Sequence, residues 1–228
     1  GLWDPDNKLN PGKVVHPFSN IENLRLGTAY APVEPETYFQ YPQDGGSFAR
    51  ATLRCVGVGL CRRHDSGVMC PSYMVTREEK HATRGRTHLL FEMLRGETIT
   101  QGWNSPEVKE ALDICLACKG CLGDCPVNVD MATYKAEFLA HYYRHKPRPI
   151  WAYAFGLIPW WAHAGSFAPR LVNAVSQTPP LSWLAKAAVK MAPQRRIPQF
   201  APEPVRRWWN RRAPRPPAKG KRVILWAD

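Results

Sequence analysis

Residues 115–126 read Cys-Leu-Ala-Cys-Lys-Gly-Cys-Leu-Gly-Asp-Cys-Pro, and this stretch decides the fold. The spacing is Cys115-x2-Cys118-x2-Cys121-x3-Cys125-Pro126, that of bacterial iron–sulfur ligand runs. A cubane needs several thiolates aimed inward around a small volume. Two-residue gaps let one tight loop point three sulfurs at one cluster. The fourth cysteine, followed by proline, sits where the chain turns away and commonly serves a second cluster. Gly120 and Gly123 lie between ligands and are expected to permit the tight backbone. Zinc would favour two separated pairs. Disulfides would need an even count and wider spacing, and the chain has seven cysteines. Free thiols imply a reducing, cytoplasmic compartment.

The other three cysteines form Cys55-x5-Cys61-x8-Cys70-Pro71. This is the same run with one ligand missing and an insertion. Val58 stands where the second cysteine would be. By the crossing pattern, Cys70 joins Cys115, Cys118 and Cys121 on a full [4Fe–4S] cluster. Cys55, Cys61 and Cys125 hold the other. Three thiolates suit a [3Fe–4S] cluster, or a [4Fe–4S] cluster with a non-cysteine ligand. His64 and Asp65, in the insertion, are the nearest candidates for that ligand; a solvated loop is the competing reading.

The surrounding pattern is helical. Thr76 with Glu79 has capping-box spacing ahead of Leu89, Leu90, Met93 and Leu94, and Gly96 can end that helix. Ser105, Pro106 and Glu107 open another, with Val108, Ala111, Leu112 and Cys115 on one face. A third starts near Asp130, with Met131, Tyr134, Phe138 and Tyr142 on one side. No strand pair is visible within 51–146, so the expected class is all-α. No nucleophile motif, acid–base pair or Gly-rich nucleotide loop appears, so no catalytic residue is assigned. The lone histidines at 16, 81, 88, 141, 145 and 163 have no ligand spacing.

The chain has 228 residues and a net charge of +12, but the excess is local. Residues 1–185 carry 19 Lys+Arg against 17 Asp+Glu; residues 186–222 carry 12 against Glu203 alone. That segment holds seven prolines and reads as an extended, weakly structured arm. It could solubilise, or dock to an acidic partner, an anionic lipid surface or nucleic acid. No charge occurs between Arg148 and Arg170. Residues 149–169 read as a helical hairpin buried against a neighbouring domain, with a membrane-surface or quinone-access element as the alternative. Residues 181–191 read as one more short helix. The Gly start and the strand-like 220–228 suggest an internal piece of a longer polypeptide.

Together with Ser72-Tyr73-Met74-Val75-Thr76-Arg77-Glu78-Glu79 and Thr83-Arg84-Gly85-Arg86, the two cysteine groups resemble the iron–sulfur region of large FAD-linked oxidases. These are fusion proteins similar to D-lactate, glycolate and D-2-hydroxyglutarate dehydrogenases. The resemblance implies an α-helical ferredoxin-like bundle around two clusters, with an irregular N-terminal segment and a Pro/Arg-rich C-terminal linker. The iron–sulfur subunit of succinate dehydrogenase shares this fold, and there loss of one cysteine accompanies a three-iron cluster, which fits Val58. Residues 3–13 resemble the closing segment of an FAD-linked oxidase domain. Residues 221–226 resemble the opening strand of a cysteine-rich domain. The implied organisation is 1–50 as oxidase tail and connector, 51–146 as the cluster domain, 147–192 as an apolar helical extension, and 193–228 as linker and start of the next domain.

The implied function is one-electron transfer from reduced FAD, held upstream, to a downstream domain, a quinone or another carrier. Arg54, Arg62, Arg63 and Lys119, beside ligands in sequence, would favour the reduced clusters. Two other readings remain. One is an iron–sulfur subunit of a quinone or heterodisulfide-type reductase. The other is an iron–sulfur nucleic-acid binder, which would need a basic face that the folded part lacks. Under any of these readings the expected location is the cytoplasm, with the inner face of the membrane as the peripheral alternative.

Overall fold

A computed structural model describes residues 3–212, apart from 7, 10, 14–15, 23–25, 28–29 and 66. The strand-like 220–228 and the prolines at 214, 216 and 217 lie outside the described residues. The chain divides into two compact units, Gly1–His145 and Lys146–Asp228. Among the described residues there are helices and no strand, as the all-α reading expected.

The first unit holds six α-helices: α1 (Phe48–Leu53), α2 (Pro71–Thr76), α3 (Thr83–Arg95), α4 (Pro106–Asp113), α5 (Gly120–Asp124) and α6 (Met131–Tyr142). Local chemistry sets several of their ends. Ser105 Oγ accepts the Val108 amide at 3.3 Å, ahead of Pro106. Asp130 Oδ1 accepts the Thr133 amide at 3.2 Å and opens α6. Gly96, at φ 69°, closes α3 in the left-handed conformation. The buried faces follow the helical repeat: Val108, Ala111 and Leu112 on α4, and Met131, Tyr134 and Phe138 on α6. Around them pack Phe48, Leu90 and Val129. Trp103 stacks on the His141 ring at 4.1 Å and on Phe48 at 5.7 Å.

The capping box expected at Thr76 and Glu79 does not form. Thr76 instead ends α2, and its hydroxyl donates to the Ser72 carbonyl at 3.0 Å. Glu79 pairs with Arg84 and Arg62. The helix starts seven residues after Thr76, at Thr83, with no side-chain cap from Ala82. Its first amides have other partners: Thr83 N–H donates to Cys70 Sγ at 3.0 Å and Arg84 N–H to Cys61 Sγ at 3.4 Å. Cysteine sulfurs take the place that a Ser or Thr oxygen normally fills.

Gly85 lets this helix start lie against the preceding turn. A Cβ there would sit 2.0 Å from the Glu79 carbonyl oxygen and 2.7 Å from its carbon. Both are backbone atoms and cannot swing away. G85A is therefore expected to destabilise the unit by about 1–3 kcal/mol or more, read as a lower urea midpoint at unchanged slope.

Part of the irregular N-terminal stretch also belongs to this unit. The buried Glu137 carboxylate accepts the amides of Tyr38 at 2.9 Å and Phe39 at 3.0 Å, and the Tyr41 hydroxyl at 3.3 Å. His141 Nε2 lies 3.0 Å from Glu137 Oε1, the oxygen that also accepts the Tyr38 amide. Burial and this carboxylate push the Tyr41 phenol well above its usual range.

The second unit contains α7 (Ile150–Gly156), α8 (Ile158–Gly165), α9 (Pro169–Gln177), α10 (Leu181–Ala188) and α11 (Val205–Arg211). The hairpin expected over 149–169 is helical, and its aromatic side chains are exposed within this chain. Trp160 is 72 % and Phe167 78 % exposed. Pro159 sits in the first turn of α8, which starts a new helix and keeps both too short to bury a continuous face. No helix among the described residues is long and apolar enough to cross a membrane. The basic arm is also more ordered than its composition suggests. Asn173 clips the chain at Phe200 through two hydrogen bonds, of 2.9 and 2.8 Å. Seven residues of the arm form α11, where Arg212 lies over the Trp208 ring at 4.6 Å.

Candidate metal centres

The seven cysteines are all free thiols. They come from four places: the end of α1, the 55–61 loop, the start of α2, and the loop between α4 and α6 that contains α5. Cys115 follows α4 directly, its amide bonded to the Leu112 carbonyl at 3.0 Å. The chain then reverses at Ala117 (φ 51°) and Lys119 (φ 58°). These non-glycine residues, not Gly120 or Gly123, take the left-handed positions of the run. Such conformations are uncommon off glycine and concentrate at functional sites. Gly120 serves close approach instead: a Cβ there would lie 3.1 Å from the Val68 carbonyl oxygen. Gly123 faces open space. Cys121 lies on α5, and Cys125 caps it with an amide bond to the Cys121 carbonyl at 3.0 Å. In the other group, Gly57 (φ 82°) and Gly59 (φ 83°) do supply the turns.

This folding gathers the sulfurs around two cavities. Cys70, Cys115, Cys118 and Cys121 line one, with Thr83 and Arg86. Cys55, Cys61 and Cys125 line the other, with Val58 and Thr83. The space within these walls, solvent-facing part included, is about 320 and 290 Å³. Cys118 is exposed, so the first cavity opens to the surface at its loop. Cys125 lines a different cavity from its three sequence neighbours. Among the described residues, no three His, Cys, Asp or Glu side chains close to the distances one metal ion needs. Thiols spread around a cavity suit the corners of a multi-iron group better than a mononuclear site.

The insertion does not bring His64 or Asp65 to the second cavity wall. The His64 ring stacks on Tyr73 at 5.7 Å. The insertion packs on α5, where the Val68 amide donates to Asp124 Oδ2 at 3.2 Å. Val58 lines the cavity in their place.

Electrostatics differ between the thiols. Burial pushes Cys55 and Cys121 up. Cys61 and Cys70 act on each other: Cys70, together with burial, holds Cys61 up, while Cys61, with Thr83 Oγ1 (2.8 Å) and the Thr83 N–H, draws Cys70 down. Thr83 is thus a wall of both cavities. The positive end of the 13-residue α3 sits between them.

Of the cations expected to act on the cavities, Lys119 lines the four-thiol cavity, whereas Arg54, Arg62 and Arg63 line neither, and the first three named have acidic partners. Arg54 Nε donates to Asp44 at 2.6 Å, Arg62 pairs with Glu79 at 3.1 Å, and Lys119 with Asp130 at 2.9 Å. Arg63 is exposed. The residue that sequence reasoning missed is Arg86, 2 % exposed and on the wall of the four-thiol cavity. Its signal was its register: Arg86, Leu90 and Met93 fall on one buried helical line.

Comparison with known proteins places a 4Fe-4S dicluster domain over residues 51–129. The chain is 30 % identical to the D-2-hydroxyglutarate dehydrogenase of Pseudomonas putida, over 88 % of this chain and 23 % of that protein. The Escherichia coli protein of the same name is 26 % identical over 83 % of the chain and 22 % of its own length. The Escherichia coli glycolate oxidase iron–sulfur subunit is 33 % identical over 38 % of the chain and 18 % of its own length. The chain thus spans less than a quarter of the length of these relatives. No solved structure matches it.

Proposed function

Since residues 51–129 belong to the 4Fe-4S dicluster domains, and the chain is an iron–sulfur electron-transfer module, we propose that it serves a FAD-dependent 2-hydroxyacid dehydrogenase. In this reading electrons pass one at a time from reduced FAD, bound outside this chain's 228 residues, to a further acceptor. Cys70, Cys115, Cys118 and Cys121 hold a [4Fe–4S] cluster. Cys55, Cys61 and Cys125 hold a second, of three irons or of four. Bound there, the clusters supply one-electron carriage between a two-electron donor and the acceptor. The observation that carries the reading is the division of the thiols between two adjoining cavities.

The chain's own residues do the rest. The Thr83 and Arg84 amides donate to one sulfur of each group and favour added negative charge there. Leu90, Leu112 and Met131 close the core behind the sulfurs and keep water from that side. The flavin domain would be fused in the same polypeptide, as the lengths of the dehydrogenase relatives support. The match to a separate iron–sulfur subunit supports the alternative of a distinct flavin subunit.

Anaerobic iron and sulfide analysis tests the assignment. We expect about seven or eight irons per chain, with a three-iron EPR signal on oxidation. Zinc in place of iron would overturn it.

A further inference from the structure

Arg86 is among the largest fully buried side chains of the protein. Its Nε donates to the Ala111 carbonyl at 2.6 Å and its Nη2 to Ser72 Oγ at 2.9 Å. Both acceptors are neutral. Among the described residues no carboxylate pairs with it, whereas Arg54, Arg62 and Arg84 each have one. A guanidinium does not shed its charge. Burying it uncompensated costs a large share of a domain's stability. The nearby groups able to become anionic are thiols: Cys70, Cys115 and Cys121 line the same cavity. Burial draws the Arg86 pKa down, and those sulfurs, with a smaller part from Cys61 of the other cavity, oppose that pull.

We propose that Arg86 is the built-in counter-ion of the four-thiol cavity and raises the midpoint potential of the cluster held there. The inference rests on the cluster assignment proposed above. On reduction one electron enters the cavity. No bond forms or breaks at Arg86, and its proton stays in place. The fixed positive charge offsets the added negative one where water cannot. The three-thiol cavity has no such residue in its wall: Arg84 lies there, but its side chain is paired with Glu79. Arg86 therefore acts mainly on the four-cysteine cluster, with a smaller effect at Cys61 of the other cavity. It is a positioning and tuning residue, since it transfers nothing itself.

Mediated redox titration of the full chain, followed by EPR, tests this in R86Q and R86K. R86Q is expected to lower the reduction equilibrium of the four-cysteine cluster about tenfold, which is about 59 mV for one electron. R86K should recover most of the shift. The other cluster should shift by clearly less than the four-cysteine cluster in R86Q. An unmoved potential in R86Q, or R86K behaving as R86Q does, overturns the proposal, because a purely structural tie would not follow charge. Should R86Q fail to load iron, the wild-type chain labelled with 15N in its guanidinium groups gives the answer. Pulsed EPR of the reduced four-cysteine cluster should then show a weak 15N coupling, and its absence overturns the proposal. Absence of iron from the wild-type chain would instead defeat the cluster assignment itself.

Discussion

C121A is expected to cost the chain about four irons and leave the second cluster in place. Cys121 is buried on α5 and lines the four-thiol cavity, not the three-thiol one. Alanine removes one corner ligand and puts a methyl group where a thiolate closed the wall. A cubane held by three protein ligands beside an open, exposed Cys118 loses its iron readily. C125A is the informative partner. Cys125 is four residues away on the same run, but it lines the other cavity. It should spare the four-cysteine cluster and abolish the three-iron EPR signal. Iron content with EPR reads both variants. If C121A and C125A deplete the same signal, the run serves one cluster and the crossed assignment is wrong. Cluster binding is coupled to folding, so each loss should also appear as reduced resistance to urea.

V58C should have the opposite sense. Val58 lies on the wall formed by Cys55, Cys61 and Cys125, and no His or Asp from the insertion lies there. A cysteine at 58 completes a set of four thiolates. The expected result is a gain of about one iron per chain, loss of the three-iron signal on oxidation, and a new four-iron signal on reduction at lower potential. Val58 is more than half exposed and buries little area, so the exchange should barely change stability. An unchanged three-iron signal in V58C would mean that the 55–61 loop cannot aim position 58 at the cluster. A four-iron signal already present in the wild type would mean that water or another ligand holds the fourth iron.

Much of this centre is legible from local sequence. The 115–126 run announces its chemistry because three ligands share one loop. The caps at Ser105 and Asp130 are legible because each is satisfied within three residues. What escapes a linear reading is closed by tertiary contact. The Thr76 cap fails because the α3 amides find sulfurs 13 and 23 residues upstream. Glu137 looks like a surface helix residue until the chain at Tyr38 and Phe39 returns to bury it. Arg54 and Arg62 look relevant because they neighbour ligands in sequence, yet each points to an acid and lines neither cavity, whereas Lys119 does line the four-thiol cavity with its ammonium on Asp130. Arg86 lies 16 residues after Cys70 and 29 before Cys115 and still reaches the wall between them.

The start of α3 has a further consequence, for which substitutions the centre tolerates. The donors to Cys70 and Cys61 are main-chain amides of two successive residues, and any residue except proline provides one. No ordinary side-chain exchange at 83 or 84 removes these hydrogen bonds. The polar surroundings of two sulfurs are therefore inherited with the turn itself and survive drift in composition. Arg86 is the reverse case, because a single codon change deletes its charge. The module thus carries a tuning element that the backbone protects and another that one mutation can reset, both within four consecutive residues of one helix.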